Sequence, residues 1–172
     1  MSAPPIAEHL RALLLRDLRA LRREVEAYPN DDAVWALAPG VANSCGTLVL
    51  HLAGNLRLYV GHHIGGIAYE RDRPREFAAR GLPRTELLAE LDVTMSAVDR
   101  ALTKLDDAKL AAEFPIAIGG TRANTQEILL HCAVHLGYHL GQVDYHRRLT
   151  TGVGTTVSTV AVNELSSARS EG

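Results

Sequence analysis

Residues 124–149, NTQEILLHCAVHLGYHLGQVDYHRRL, decide how the rest of the chain is read. Asn124 and Glu127 stand as cap and third residue of a capping box, in which each side chain satisfies a free backbone N–H of the other. The helix they open runs to Leu149 and gives way at Thr150-Thr151-Gly152. Within it His131, His135 and His139 recur every four residues and share one face. Adjacent members lie about 6 Å apart along the axis, which lets two imidazoles reach one ion.

Working outward, three further segments show helical periodicity. The first begins after Pro4-Pro5 and runs to about Tyr28, with Leu10, Leu13, Leu14, Leu18, Leu21 and Val25 on one stripe. A short helical turn around Trp35 comes after Pro29-Asn30-Asp31-Asp32. The second starts near Asn43 or Ser44, both good caps, and stops at Gly65-Gly66. The third starts near Thr85 and continues through Leu87, Leu88, Leu91, Met95, Val98, Leu102 and Leu105. The expected fold is therefore all-α, a four-helix bundle over residues 1–152. Connections 67–84 and 106–123 exceed the usual helix–helix length, so crossovers are expected rather than a simple up-down-up-down path. Residues 153–172 form a tail whose Thr155–Val162 stretch alternates as an edge strand or oligomer contact would, or stays disordered.

The chain has 172 residues, enough for one domain with a sizeable core. It is 47% hydrophobic and only 5% aromatic, which favours helices over strands. A net charge of −2 supplies no basic field for nucleic acid or anionic membrane. The longest apolar stretch, Gly46 to Leu58, holds His51, Asn55 and Arg57 and is too short to span a bilayer. Glu8 and Arg11 interrupt the N-terminal apolar run, so no signal peptide is expected. Cys45 and Cys132 are too few for a disulfide framework; small buried thiols in a soluble cytoplasmic protein are the expectation.

The chemistry lies in the histidines. His51 is central in the second helix, with Leu48, Leu52 and Asn55 around the same side. A buried histidine needs partners for both ring nitrogens, and several converging from two helices need something electropositive between them. A divalent transition metal is that partner, and three imidazoles leave a coordination position open for water or substrate. Spacing alone leaves open whether the fourth helix offers His131/His135 or His135/His139. Gly137 and Gly141 flank His139, and each helical glycine costs about 1 kcal/mol. Close approach of a neighbouring helix or a ligand is the expected compensation, which weights the His139 end. His9, His62, His63 and His146 are read as ordinary surface or core histidines. The run Glu70-Arg71-Asp72-Arg73 with Arg75 and Glu76 reads as a solvated loop, or else as a cover over the site. No carboxylate is placed beside the histidines by sequence.

LHLAGNLRLYVGHHIGG at 50–66 and ILLHCAVHLGYHLGQVDYHRRLTTG at 128–152 resemble the DinB-like superfamily of bacterial four-helix bundles. RDRPREFAARGLPRTELLAEL at 71–91 resembles the loop and third-helix start of one uncharacterised branch. The resemblance covers most of residues 8–150. It implies a metal site on His51, His135 and His139, with His131 a neighbour rather than a ligand. It implies zinc or nickel, with iron or manganese as further candidates, and a homodimer. Some members of that superfamily are S-transferases or isomerases using a low-molecular-weight thiol, which makes a small-molecule substrate or such a thiol the expected partner. Asn55, Tyr138 and Gln142, next to the ligands in sequence, are candidates for contacts to substrate or for interhelical bonds and packing. The readings in competition are a metal-dependent S-transferase or hydrolase, a non-catalytic metal-binding or interaction module, and a metal-free bundle.

Overall fold

The computed structural model describes residues 5–157 and 160–170. Among them the chain forms seven α-helices and no extended strand, only two isolated antiparallel bridges. Four are long: α1 (Pro5–Glu26), α3 (Cys45–Leu56), α5 (Arg84–Thr103) and α7 (Thr125–Thr151). Three short ones lie in the connections: α2 (Asp31–Trp35), α4 (Arg73–Ala78) and α6 (Asp107–Ala111). The expected caps form, with Ser44 accepting from Thr47 N and Asn124 from Glu127 N at 2.8 Å. Gly152 closes α7 in the left-handed conformation, at φ 71°.

Each long helix touches two others: α1 packs on α5 and α7, and α3 packs on the same two. Pairings fix the directions. Arg11 meets Asp99 and Arg22 meets Asp92, so α1 and α5 are antiparallel. Glu24 meets Arg147, and Asp17 is the side chain nearest Gly137, so α1 and α7 are parallel. Arg57 meets Glu90, and Gly61 faces Ala97, so α3 and α5 are also parallel neighbours. Two adjacent parallel helices need a connection that travels back along the bundle. This is the physical reason residues 67–83 are so many, and it is where α4 lies, against α3. The crossover expected at 67–84 is present, whereas 106–123 joins α5 to α7, which run in opposite directions, and is no crossover.

Leu10, Leu14, Leu18, Leu21 and Val25 of α1 are buried as their spacing predicts, each contributing about 1.5–3 kcal/mol by removal from water. Past Leu56 the second long helix widens into a π-helical turn, Arg57–His62, where His63 N donates to Leu58 O at 3.0 Å. The wider turn re-aims the last residues of that helix and sets Gly61 and Gly65 against Ala97 and Ala101 of α5.

Among its described residues the tail forms no strand: 155–157 and 160–161 are irregular, Val162 opens a single 3-10 turn, Val162–Glu164, and 158–159 lie outside the described residues. Its start is held by Arg147, whose side chain is 1% exposed. That guanidinium pairs with buried Glu24 at 2.5 Å and donates to Thr155 O at 2.8 Å. Further on, Glu164 accepts from Arg19 of α1 at 3.0 Å. No described helix is long and apolar enough to cross a membrane.

Candidate metal centre

α3 and α7 run side by side, and one imidazole from α3 meets two from α7. His51 Nε2 lies 3.3 Å from His135 Nε2, and His139 Nε2 lies 3.1 Å from that same atom. One ligand atom from each of the three lies within 4.8 Å of the others, so the three are positioned to hold a metal ion. Nitrogens bound to one ion at about 2.1 Å are about 3.0 Å apart at right angles and about 3.4 Å apart at the tetrahedral angle. Both observed gaps fall in that interval.

The outer nitrogens decide what the inner ones can be. His51 Nδ1 donates to Glu76 Oε2 at 3.2 Å. Arg71 clamps that carboxylate with Nε on Oε1 at 2.6 Å and Nη2 on Oε2 at 2.8 Å. Arg71 Nη2 also stands 3.3 Å from His51 Nδ1, but two donors cannot satisfy each other and its partner is the carboxylate. Burial pushes the Glu76 carboxyl up, yet the bonds from His51 and Arg71 and the arginine's charge outweigh it and hold the group below its usual value. An ionised carboxylate only accepts, so Nδ1 of His51 carries the hydrogen. On the other side His139 Nδ1 donates to Gln142 Oε1 at 2.6 Å. Both Nε2 atoms therefore aim bare lone pairs at His135. One hydrogen on His135 can bridge only one of the two gaps, whereas a cation satisfies all three nitrogens. The residues fit a metal.

The electrostatics agree. Burial, with the neighbouring histidines, lowers His135 to about 4. Burial and His51 also lower His139, against the Gln142 bond. Neutral imidazole is the ligand form.

Sequence reasoning placed no carboxylate here and read 70–76 as a solvated loop or else as a cover over the site; Glu76 bonds His51, which is closer to the second. Glu76 is 6% exposed. Asp72 caps α4 by accepting from Arg75 N, Pro74 occupies its first turn, and the helix turns Glu76 inward. The signal was Gly54, one turn after His51: a Cβ there would collide with Glu76 Oε1. Phe77 of the same helix lies against His51, with ring centroids 5.1 Å apart and planes tilted by 49°.

Gln142 does steady a ligand, though its partner is His139 rather than another helix. Tyr138 is not a packed ring; it is exposed, with its ring centroid 5.1 Å from that of His139. Asn55 keeps Oδ1 buried with no hydrogen-bond partner, so that oxygen makes no interhelical bond. The glycine argument for the His139 end fails within this chain. Nothing lies within 4 Å of a Cβ at Gly141, and only Asp17, at 3.9 Å, near Gly137. His131 stacks on His135 at 6.0 Å and is exposed, outside the three-nitrogen group. Cys132 is buried and its thiol pushed up to about 12.

The family model described as the DinB superfamily matches residues 13–143, a span that contains all three histidines. The crystal structure of a DinB-like protein from Bacillus cereus ATCC 10987 superposes with a TM-score of 0.62 at 16% identity. That likeness covers 82% of this chain and 89% of that one. Among curated proteins none matches. By the family match over residues 13–143, with a fold like that of the Bacillus cereus protein, the chain belongs to the DinB superfamily.

Proposed function

We propose that this protein binds one divalent transition ion, zinc or nickel, on His51, His135 and His139, and uses it in thiol transfer or hydrolysis. The observation carrying the reading is the pair of outer bonds, His51 to Glu76 and His139 to Gln142, which leave both inner nitrogens bare and facing His135. A bound ion of this kind lowers the pKa of a thiol or water in its open position and so supplies a nucleophile at neutral pH.

The chain's own groups have separable tasks. Glu76 orients the His51 ring and makes it a stronger donor, and Arg71 keeps Glu76 ionised. Gln142 fixes the His139 ring. Phe77, tilted against His51, helps to hold that ring in place. Tyr138, exposed beside His139, is placed to donate a hydrogen bond to a substrate. Three neutral ligands leave the ion its full charge, which suits an anionic thiolate as the bound species.

Elemental analysis of protein purified without an affinity tag should find about one zinc or nickel per chain. Loaded protein should then consume a low-molecular-weight thiol against an electrophilic acceptor. Stoichiometric metal in a His51→Ala, His135→Ala, His139→Ala triple variant overturns the binding site. Full metal with no thiol or hydrolytic turnover favours the non-catalytic metalloprotein.

A further inference from the structure

A cleft of about 310 Å³ lies between the start of α3, the loop before it and the last turns of α7. Leu48 and His146 line it as buried residues, and Tyr145 and Leu149 as exposed ones. Val41, Ala42 and Asn43 line it from the loop. That volume is at the lower end for small-molecule sites, which are apolar concavities with a few placed polar groups.

Two independent steps join the cleft to the metal centre. Leu48 stands three residues before His51 on α3, and Gln142 three residues after His139 on α7. Because α3 and α7 run in opposite directions, both steps lead the same way along the groove between them, about 4.5 Å from the histidines. Gln142 belongs to both places. Its Oε1 accepts from His139 Nδ1, which leaves the amide nitrogen with both hydrogens to donate.

The lining says what can sit there. Among the described residues that form it there is no acid, lysine or arginine, and a charge brought against such walls has nothing to pair with. Its imidazole, His146, spends both nitrogens inside the fold, on Tyr28 and Ala36. The cleft can therefore hold a group but not transform one, and the reacting atoms belong one turn away. We propose that it seats the neutral apolar end, an aryl ring or a short branched alkyl group, of the small molecule on which the metal centre acts. The Gln142 amide donates to the polar link between that end and the reacting group. That the occupant is a substrate rests on the function proposed above; the preference for a neutral apolar group rests on the cleft alone.

The probe is para-fluorobenzyl alcohol, followed by fluorine NMR on the full chain. It should bind saturably, while para-fluorobenzoate and para-fluorobenzylammonium bind about tenfold more weakly or worse. Ala42→Trp and Leu149→Trp fill the cleft from the loop and from α7, and each should abolish binding. Val93→Trp, at an exposed position of α5, should not. Equal binding of the charged probes, or unchanged binding in both filling variants, overturns the proposal. So does binding that disappears as the protein self-associates, since a second copy then covers the cleft. Binding retained by the His51→Ala, His135→Ala, His139→Ala variant supports the cleft even where the ion is lost, and so separates it from the metal reading. In cobalt-loaded protein the resonance of the bound probe should shift relative to zinc-loaded protein. Identical shifts in the two fully loaded forms put the occupant out of the ion's reach and overturn its assignment as substrate.

Discussion

His139 and His146 stand seven residues apart on α7, and both are drawn at least partly out of water, yet their surroundings differ in kind. His146 is closed. Its Nδ1 accepts from the Tyr28 hydroxyl at 2.6 Å and its Nε2 donates to Ala36 O at 2.8 Å, so every ring nitrogen has a protein partner. His139 is satisfied on one side only, by Gln142, and its other nitrogen meets a second imidazole. Burial lowers the pKa of both. The number of protein partners separates a histidine that holds a fold together from one with a nitrogen left over for an ion.

The sharpest way to break this contrast is to remove one imidazole at a time. His135→Ala takes away the nitrogen that both others face and should reduce metal content to background. His146→Ala should leave metal content at wild-type level; elemental analysis of the two variants side by side decides it. If His146→Ala loses metal with the fold intact, the two classes are not distinct. Next in size is the carboxylate behind His51. Glu76→Ala should weaken metal affinity about 10–100-fold, as for other partners of metal-bound histidines, and Glu76→Gln less, measured by competition with a chromogenic chelator.

Stability sharpens the other half. His146→Ala takes the acceptor from the buried Tyr28 hydroxyl, which keeps only its Cys45 partner, and removes the link to the exposed Ala36 carbonyl, for a loss of about 1–3 kcal/mol in urea unfolding. The smallest effect is a slope. Burial lowers His146 from its ordinary 6.5, only partly opposed by its Ala36 bond. As pH falls through that value the unfolded chain takes up a proton that the folded chain refuses. His146 therefore costs nothing above it and destabilises progressively below it. Tyr28 and Cys45, which lie on that side of the ring, are pushed up by burial and stay protonated throughout. Between about pH 7 and 5, metal-free His146→Gln should lose less stability than the wild type. A wild type with the same slope as His146→Gln removes the assignment.

The helices were legible because apolar spacing and capping residues are local. Ser44, Asn124 and Gly152 mark their ends in the sequence as they do in space. The order of the bundle was not. That α3 and α5 are parallel neighbours depends on contacts such as Arg57 with Glu90, which no local pattern encodes. At the site, the histidines were legible through their four-residue repeat, but the choice of His139 over His131 came from resemblance. The glycine argument that pointed the same way does not hold, since Gly141 has no neighbour in its own chain. Glu76 was hidden because a charged run looks solvated until the fold supplies a buried arginine and a histidine to receive it. Arg147 was hidden for the same reason, its buried partner Glu24 lying on another helix.

The notch at Gly54 has a consequence for how this chain can change over time. The carboxylate of Glu76 occupies the volume that any larger residue at 54 would need, so neither position is free to drift alone. A methyl group gained at 54 demands a shorter acid at 76, and loss of the acid relaxes the demand for glycine. Descendants that keep the bond from His51 to Glu76 should inherit the two as a single unit, and those that have lost it should show both letters released together.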